Sequence, residues 1–248
     1  MSDRVVVITG ASSGIGAALA EELGRRGDSV VLVARREPEL QWVASRSGSK
    51  PLIIVADVTR RDEVRRVVAE TIARFGRIDV WVNNAGQGIT RLPSQLTDED
   101  LDDMMRVNVK SALYGMQEVL PHFIERRAGQ VVNVSSMLGR IPYVPMRAAY
   151  SAAKHYLNVL TANFRDEVTK EHPAIVFSTV SPGVVRTEFG AHARHGGPDS
   201  RQMPHAQSAE DVAAIIADVI DSRRADVYTI PGARQRVADY YAAVGEDA

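Results

Sequence analysis

Two side chains in the segment YSAAK could handle a proton together. Tyr150 and Lys154 stand four positions apart, which on a helix puts both on one face, one turn from each other. A phenol titrates near pH 10, about three units too high for acid–base work at neutrality. A neighbouring ammonium stabilises the phenolate and lowers that value, and a cationic ring docked beside it would add to the effect. The same spacing also suits two ordinary structural residues, so the pair needs company. A second chemical signal lies in TGASSGIG, residues 9–16. Gly10 would turn the chain out of a strand where a Cβ would obstruct close approach. Gly14 and Gly16 would let a helix start lie against both a sheet and a pyrophosphate, with backbone N–H groups and the helix dipole facing the anion. Ser12 and Ser13 could donate hydrogen bonds to it. The third signal is VARR. Ala34 stands where an acidic residue would hold the ribose hydroxyls of NAD, and Arg35 and Arg36 follow. Guanidinium groups there suit the 2′-phosphate of NADP, so the expected cofactor is NADP(H), ahead of NAD.

Such groups must be positioned by an alternating scaffold. β-Branched runs at 4–9, 29–34, 51–56, 78–83, 130–135, 174–180 and 226–230 read as strands, several apolar throughout as in parallel strands covered on both faces. Helical patterns lie between them at 14–26, 37–46, 60–75, 98–127, 147–171 and 209–223. Acidic first turns mark three helix starts, at Thr59 with Asp62, Thr97 with Asp98–Asp100, and Ser208 with Glu210 and Asp211. The alternation predicts an α/β fold: one doubly wound, Rossmann-like parallel sheet of seven strands, helices on both faces, spanning 1–248 as a single domain. In such sheets the ligand edge is the carboxyl ends of the strands. TGASSGIG, RR, DVT (57–59), NNAG (83–86), SS (135–136) and SPG (181–183) all fall there.

TGASSGIG, NNAG, Asn108, NVSS, YSAAK and SPGVVRT, in this order over the whole chain, resemble the short-chain dehydrogenase/reductase family, in its single-domain branch with a Tyr-x-x-x-Lys site. The resemblance implies a catalytic group of Asn108, Ser136, Tyr150 and Lys154. Tyr150 would pass the proton while hydride moves between substrate and nicotinamide. Ser136 would stabilise the substrate oxygen, and Lys154 would lower the tyrosine pKa and hold the nicotinamide ribose. Asn108 would position a water in a proton relay through Lys154. Ser136 is chosen over Ser135 because SMLG (136–139) fits the family's pattern. The fourteen positions from Ser136 to Tyr150 are one more than the family's usual interval, which places an insertion in RIPYVPMRAA, a loop expected to line the pocket. By the same resemblance Ile15 joins the glycine turn in holding cofactor, Asp57 and Val58 bracket the adenine, and Asn84, Ala85 and Gly86 pass under the adenosine ribose. Pro182, Gly183, Val185 and Thr187 flank the nicotinamide. Asn83 is read as a bond between neighbouring strands.

Composition narrows the partners. With 30 basic and 31 acidic residues the net charge is −1, without the footprint of nucleic-acid binding. No apolar stretch approaches the roughly 20 residues that span a bilayer, and an apolar run begins almost at the amino terminus, so no signal peptide is expected and the expected location is cytoplasmic. Cysteine is absent, which removes disulfides, thiol catalysis and cysteine-held metals. His192, His195 and His205 show no ligand spacing, and no metal is expected. The Gly-, Pro- and His-rich stretch 181–207 reads as a loop whose part from 187 to 207 is a substrate lid, flexible at Gly190, Gly196 and Gly197. Met137, Leu138, Tyr143, Met146 and Phe189 would give a partly apolar pocket, which suggests a carbonyl on a medium-sized organic molecule; the expected partner is a small-molecule carbonyl/alcohol substrate. The family resemblance implies a homodimer or homotetramer through the helices at 98–127 and 147–171. The tail 233–248 would pack on a neighbour or cover a pocket through Tyr240 and Tyr241. Two other readings keep the cofactor: isomerisation or dehydration, and a nucleotide-sensing regulator without turnover.

Overall fold

The computed structural model describes residues 4–48 and 51–245. Seven parallel strands form one sheet: β1 (Val5–Thr9), β2 (Ser29–Ala34), β3 (Leu52–Val55), β4 (Val80–Asn83), β5 (Gly129–Val134), β6 (Ile175–Ser181) and β7 (Asp226–Tyr228), in the order β3-β2-β1-β4-β5-β6-β7. Register is continuous across the centre, with Val7 beside both Val31 and Trp81, and Val132 beside both Val82 and Ser178. The order reverses between β1 and β4, and there the crevice of a doubly wound sheet opens.

The helices are α1 (Gly14–Arg25), α2 (Glu37–Ala44), α3 (Arg61–Phe75), α4 (Asp98–Met105), α5 (Ser111–Arg126), α6 (Ala148–Val168), α7 (Ala209–Ser222) and α8 (Ala233–Ala243). Strand alternation feeds two cores. Val6 and Ile8 of β1 pack with α1, α2 and α7 on one face, and Val5 and Val7 pack with α3, α5 and α6 on the other. Each buried Val, Leu or Phe contributes roughly 1.5–3 kcal/mol over its exposed state, so both layers are held to the sheet.

Helix starts follow local chemistry in two of the three expected places. Thr97 and Asp100 form a reciprocal capping box on α4, and Ser208 accepts from the Asp211 N–H on α7. At α3 the cap is Arg60, not Thr59, because the Thr59 hydroxyl turns back to Asp57 at 2.8 Å. The long helix expected at 98–127 is interrupted. Residues Arg106–Lys110 form a π-turn between α4 and α5, an insertion type that often marks functional positions. The tail contains α8, whose Val237 and Tyr240 pack on Met137 and Ile141, while the Tyr241 hydroxyl donates to the Arg140 carbonyl at 2.9 Å. It therefore covers its own chain. Residues 246–248 of that tail lie outside the described residues. Among the described residues no helix is long and apolar enough to cross a membrane.

Candidate active site

The carboxyl ends of the strands enclose a cleft of about 650 Å³, within the range of small-molecule sites. One end is the turn between β1 and α1. Gly10 and Gly14 have φ of +68° and +57°, values that cost a side-chain-bearing residue energy. A Cβ on Gly10 would lie 2.9 Å from Ala85 Cα, and one on Gly14 would lie 3.1 Å from Thr187 Cγ2. Gly16 fills the packing half of its expected role. It is buried behind the turn, where a Cβ would meet the Gly10 carbonyl oxygen at 2.4 Å, so it seats α1 and does not itself line the cleft. Ser13 caps α1 in extended geometry without a side-chain bond to the first turn, which leaves those helix N–H groups to an anion. Its hydroxyl and that of Ser12 instead accept from Arg36 Nη2 at 3.1 and 3.0 Å. The guanidinium thus hangs over the turn, held also by Glu39 at 3.3 Å. Ile15 and Arg35 line the same end.

Neighbouring strand ends close the floor. Asn84 Nδ2 donates to the carbonyls of Thr9 and Gly10 at 2.9 and 3.2 Å, locking the glycine turn to the β4 exit, with Ala85 and Gly86 beside it. Asn83 bridges β4 to β5 through Asn133, accepts from Trp81 on its own strand and donates to the Ala112 carbonyl of α5. Burial pushes the Asp57 carboxyl up, but bonds from the Thr59 N–H and hydroxyl, with Arg35 and Arg106 nearby, outweigh it and hold the group below the usual carboxylate range. Val58 packs next to it. Pro182, Gly183, Val185 and Thr187 line the opposite wall.

At the far end Ser136, Tyr150 and Lys154 come together. Ser136 caps the short turn Met137–Gly139 by accepting from Leu138 N–H at 3.1 Å, and its hydroxyl is a hydrogen-bond partner of the phenol. Ser135 turns away toward the Lys154 carbonyl. The phenol is not acidified by the chain's own groups, contrary to expectation. Burial pushes Tyr150 up to about 12, against the Ser136 bond and the Arg147 charge, which pull it down. Lys154 does not offset this. Burial draws its ammonium down to about 8, and Nζ donates to the Val134 carbonyl at 2.9 Å, 5.7 Å from the tyrosine ring centre. For both groups desolvation by burial is the largest influence. Asn108, in the π-turn, stands back from the cleft. Its amide is taken up by Gln87 N at 3.1 Å, Gln87 O at 2.9 Å and Met104 O at 3.2 Å, so it braces the chain leaving β4.

Met137, Leu138, Tyr143, Met146 and Phe189 all line this end, and the Phe189 ring lies 5.6 Å from that of Tyr150. Val144 and Arg147 join them; the turn Pro145–Arg147 decides which side chains of RIPYVPMRAA face in. The 187–207 segment is moored over the site. Fully buried Asp100 accepts from Arg91 at 3.0 Å and Arg194 at 2.6 Å, and its carboxylate lies 2.8 Å from His195 Nε2. Burial raises its pKa, but the His195, Arg194 and Thr97 bonds dominate and hold it far below the ordinary carboxylate value. Two of the three glycines expected to give flexibility are close-packing positions. A Cβ on Gly190 would strike the Pro198 carbonyl at 2.3 Å and one on Gly197 the Gly190 carbonyl at 2.6 Å, whereas Gly196 has open space. Among the described residues no group of His, Cys, Asp and Glu could hold a metal ion.

A Rossmann-like sheet with a glycine cradle at one end and a Ser–Tyr–Lys cluster at the other defines a dinucleotide-dependent class. The family model described as short chain dehydrogenase matches residues 4–197, and the chain belongs to that family. It is 33% identical over 211 residues to an uncharacterised oxidoreductase of Staphylococcus epidermidis, covering 85% of this chain and 89% of the relative. Among solved structures, a short chain dehydrogenase/reductase from Burkholderia phymatum in complex with NAD shares the fold at TM-score 0.88 and 23% identity, covering 100% of this chain and 97% of the other. An alcohol dehydrogenase from Thermococcus sibiricus complexed with 5-hydroxy-NADP matches at TM-score 0.79 and 26% identity, covering 92% and 96%.

Proposed function

We propose that this chain is an oxidoreductase that transfers hydride between NADP(H) and a carbonyl/alcohol substrate, with Tyr150 as general acid and base. The convergence of Ser136, Tyr150 and Lys154 at the end of a cleft that begins at the glycine turn carries this reading. When bound, the nicotinamide dinucleotide supplies or accepts the hydride. The bare first turn of α1, with Gly10, Ser12, Ser13, Gly14 and Ile15, suits its pyrophosphate, and Gly16 keeps that helix close. Asp57 and Val58 suit the adenine, Asn84, Ala85 and Gly86 the ribose, and Pro182, Gly183, Val185 and Thr187 the nicotinamide. Arg36 over the turn, with Arg35 beside it, favours the extra phosphate of NADP. The Thermococcus sibiricus relative, complexed with an NADP derivative, is consistent with that preference, and the NAD complex of the Burkholderia phymatum relative makes it a point to measure.

The protonated Tyr150 hydroxyl would deliver its proton to the substrate oxygen, or take one back in the reverse direction. Ser136 would donate a second hydrogen bond to that oxygen as negative charge develops. Lys154, when protonated, sets a positive charge behind the phenol and offers donors to the nicotinamide ribose. Asn108 acts through the Gln87 backbone as a positioning residue. Exposed Tyr156 and Val159 on α6 fit a dimer through that helix.

Stoichiometric loss of the reduced-nicotinamide absorbance across a panel of ketones and aldehydes tests the proposal. Product formed without net consumption would point to isomerisation or dehydration, and binding without product to a sensor. Replacing Tyr150 by Phe is expected to lower kcat about 1,000-fold, in the range of general acid–base catalysis, with the cofactor Kd unchanged. A variant that retains turnover would remove Tyr150 from the reaction.

A further inference from the structure

Arg147 is a guanidinium without an acid. It is half-buried in the wall of the substrate end, three positions before Tyr150. Arg194 and Arg4 are paired with Asp100 and Asp28, and the partly buried Arg165 and Arg223 each spend two donor bonds on backbone carbonyls. Among the described residues the only ionisable group whose charge bears on Arg147 is the Tyr150 phenol, and burial pulls its pKa down. Its one hydrogen bond among those residues runs from Nη1 to the Ile89 carbonyl at 3.0 Å, which leaves most of the five donors of the fork.

Two glycines lie beside this side chain. A Cβ on Gly88 would lie 2.8 Å from Nη1, and one on Gly197 would lie 2.9 Å from Nη2 and 2.9 Å from Thr90 Oγ1. Gly197 is already required by its packing on the Gly190 carbonyl at 2.6 Å, whereas Gly88 has no left-handed backbone to call for it. The Thr90 hydroxyl in that corner is itself buried without a partner. Bracing Ile89 needs only a neutral donor, whereas withdrawing a charge from water without a counter-charge is costly. A carboxylate is planar and matches the guanidinium fork with two parallel bonds. With a single cation in this corner, one negative charge is the better match than a phosphate dianion. Val144, Met146 and Phe189, on the same walls, suit the carbon chain between such a group and the reacting carbonyl.

We propose that Arg147 recognises a carboxylate on the substrate, so that the carbonyl compound reduced at Tyr150 is an oxo acid. This substrate class rests on the oxidoreductase reading above. The test compares pyruvate, acetoacetate and levulinate with their methyl esters, in the intact protein and in the Arg147→Gln and Arg147→Lys variants. The expected result is a kcat/KM ratio of acid to ester that exceeds one for at least one pair and falls about 30-fold or more in Arg147→Gln, the low end for truncating one partner of a desolvated charge pair. Arg147→Lys restores part of it. Taking the ratio cancels any effect of Arg147 on the phenol, and unchanged cofactor binding checks the fold of each variant. Equal use of acids and esters, or a ratio that Arg147→Gln leaves unmoved, overturns the assignment.

Calorimetric titration of levulinate and methyl levulinate into the intact protein saturated with oxidised NADP reads the site without turnover or a variant. Binding of the acid alone supports the carboxylate site; equal binding of both, or of neither, overturns it. Neutral ketones consumed with no preference for acids sink the oxo-acid class and leave hydride transfer standing. Acid-selective binding with no consumption of reduced cofactor under any condition does the reverse.

Discussion

The two ends of the cleft are made from different materials. Around the glycine turn the walls are backbone. Gly10 approaches Ala85, Gly16 touches the Gly10 carbonyl, and Asn84 ties both strands to the turn. Around Tyr150 the walls are side chains drawn from distant segments, held by charge where the Asp100 cluster moors Arg194 and His195. The first end is backbone shape with the Arg35 and Arg36 charges at its rim; the second is buried charge and desolvation in an adaptable frame. A dinucleotide phosphate is the same in every substrate complex, so close backbone fit suits it. Carbonyl compounds vary, and side chains can be exchanged one at a time.

That contrast implies opposite sensitivities. The largest effect is expected at the backbone end. Gly16→Ala puts a Cβ 2.4 Å from a backbone oxygen and should destabilise the fold by about 3 kcal/mol, the upper range for overpacking, read from the urea midpoint. Cofactor binding should fall with it. Reversing Arg35 and Arg36 to Glu should weaken NADP by about 30-fold, or ~2 kcal/mol for lost charge-assisted bonds, and leave NAD nearly untouched. Equal losses in fluorescence titrations would remove the phosphate role.

At the side-chain end the signature is pH. Lys154 is pulled down to about 8 in the folded chain, below its unfolded value near 10.4. The unfolded state therefore binds more protons between those values. Stability should rise with pH above 8, by at most about 1.4 kcal/mol per pH unit. Lys154→Met should flatten that rise in urea midpoints measured from pH 8 to 10. Tyr150 acts in the opposite sense only above pH 10, because its folded value is the higher one. The smallest effect on chemistry is expected for Asp100→Asn. The carboxylate's depressed pKa means that its contribution is full above the unfolded value near 4 and drains as pH falls below it. The variant should lose that acid-side dependence and show faster proteolysis within 188–205, with kcat little changed.

Much of this was readable in one dimension. Each of the seven strands lies within about two residues of its apolar run, because parallel strands buried on both faces need unbroken β-branched sequence. The cradle and the Ser–Tyr–Lys cluster were readable because each rests on residues close together in the chain or on the ends of named strands. Arg147 was not singled out, since an arginine in a connecting loop gives no sign of losing its water. The π-turn at Asn108 leaves no mark in hydrophobic periodicity. Thr59 was misjudged as a cap because a threonine's hydroxyl has two local targets, and Asp57 won it. Nor does a weakly amphipathic tail announce α8, whose stability comes from covering Met137 and Ile141.

Local composition was sufficient for the parallel sheet, its ligand-bearing edge and the residue types available for a dinucleotide and a proton, because period, glycine spacing and strand ends are short-range properties. Desolvation is not. Whether the phenol at Tyr150 is acidic, whether glycines at 190 and 197 bend or pack, and which arginine faces the substrate all depend on what the folded chain removes from water. Those answers come from contacts between segments far apart in the chain, where burial and charge are set together.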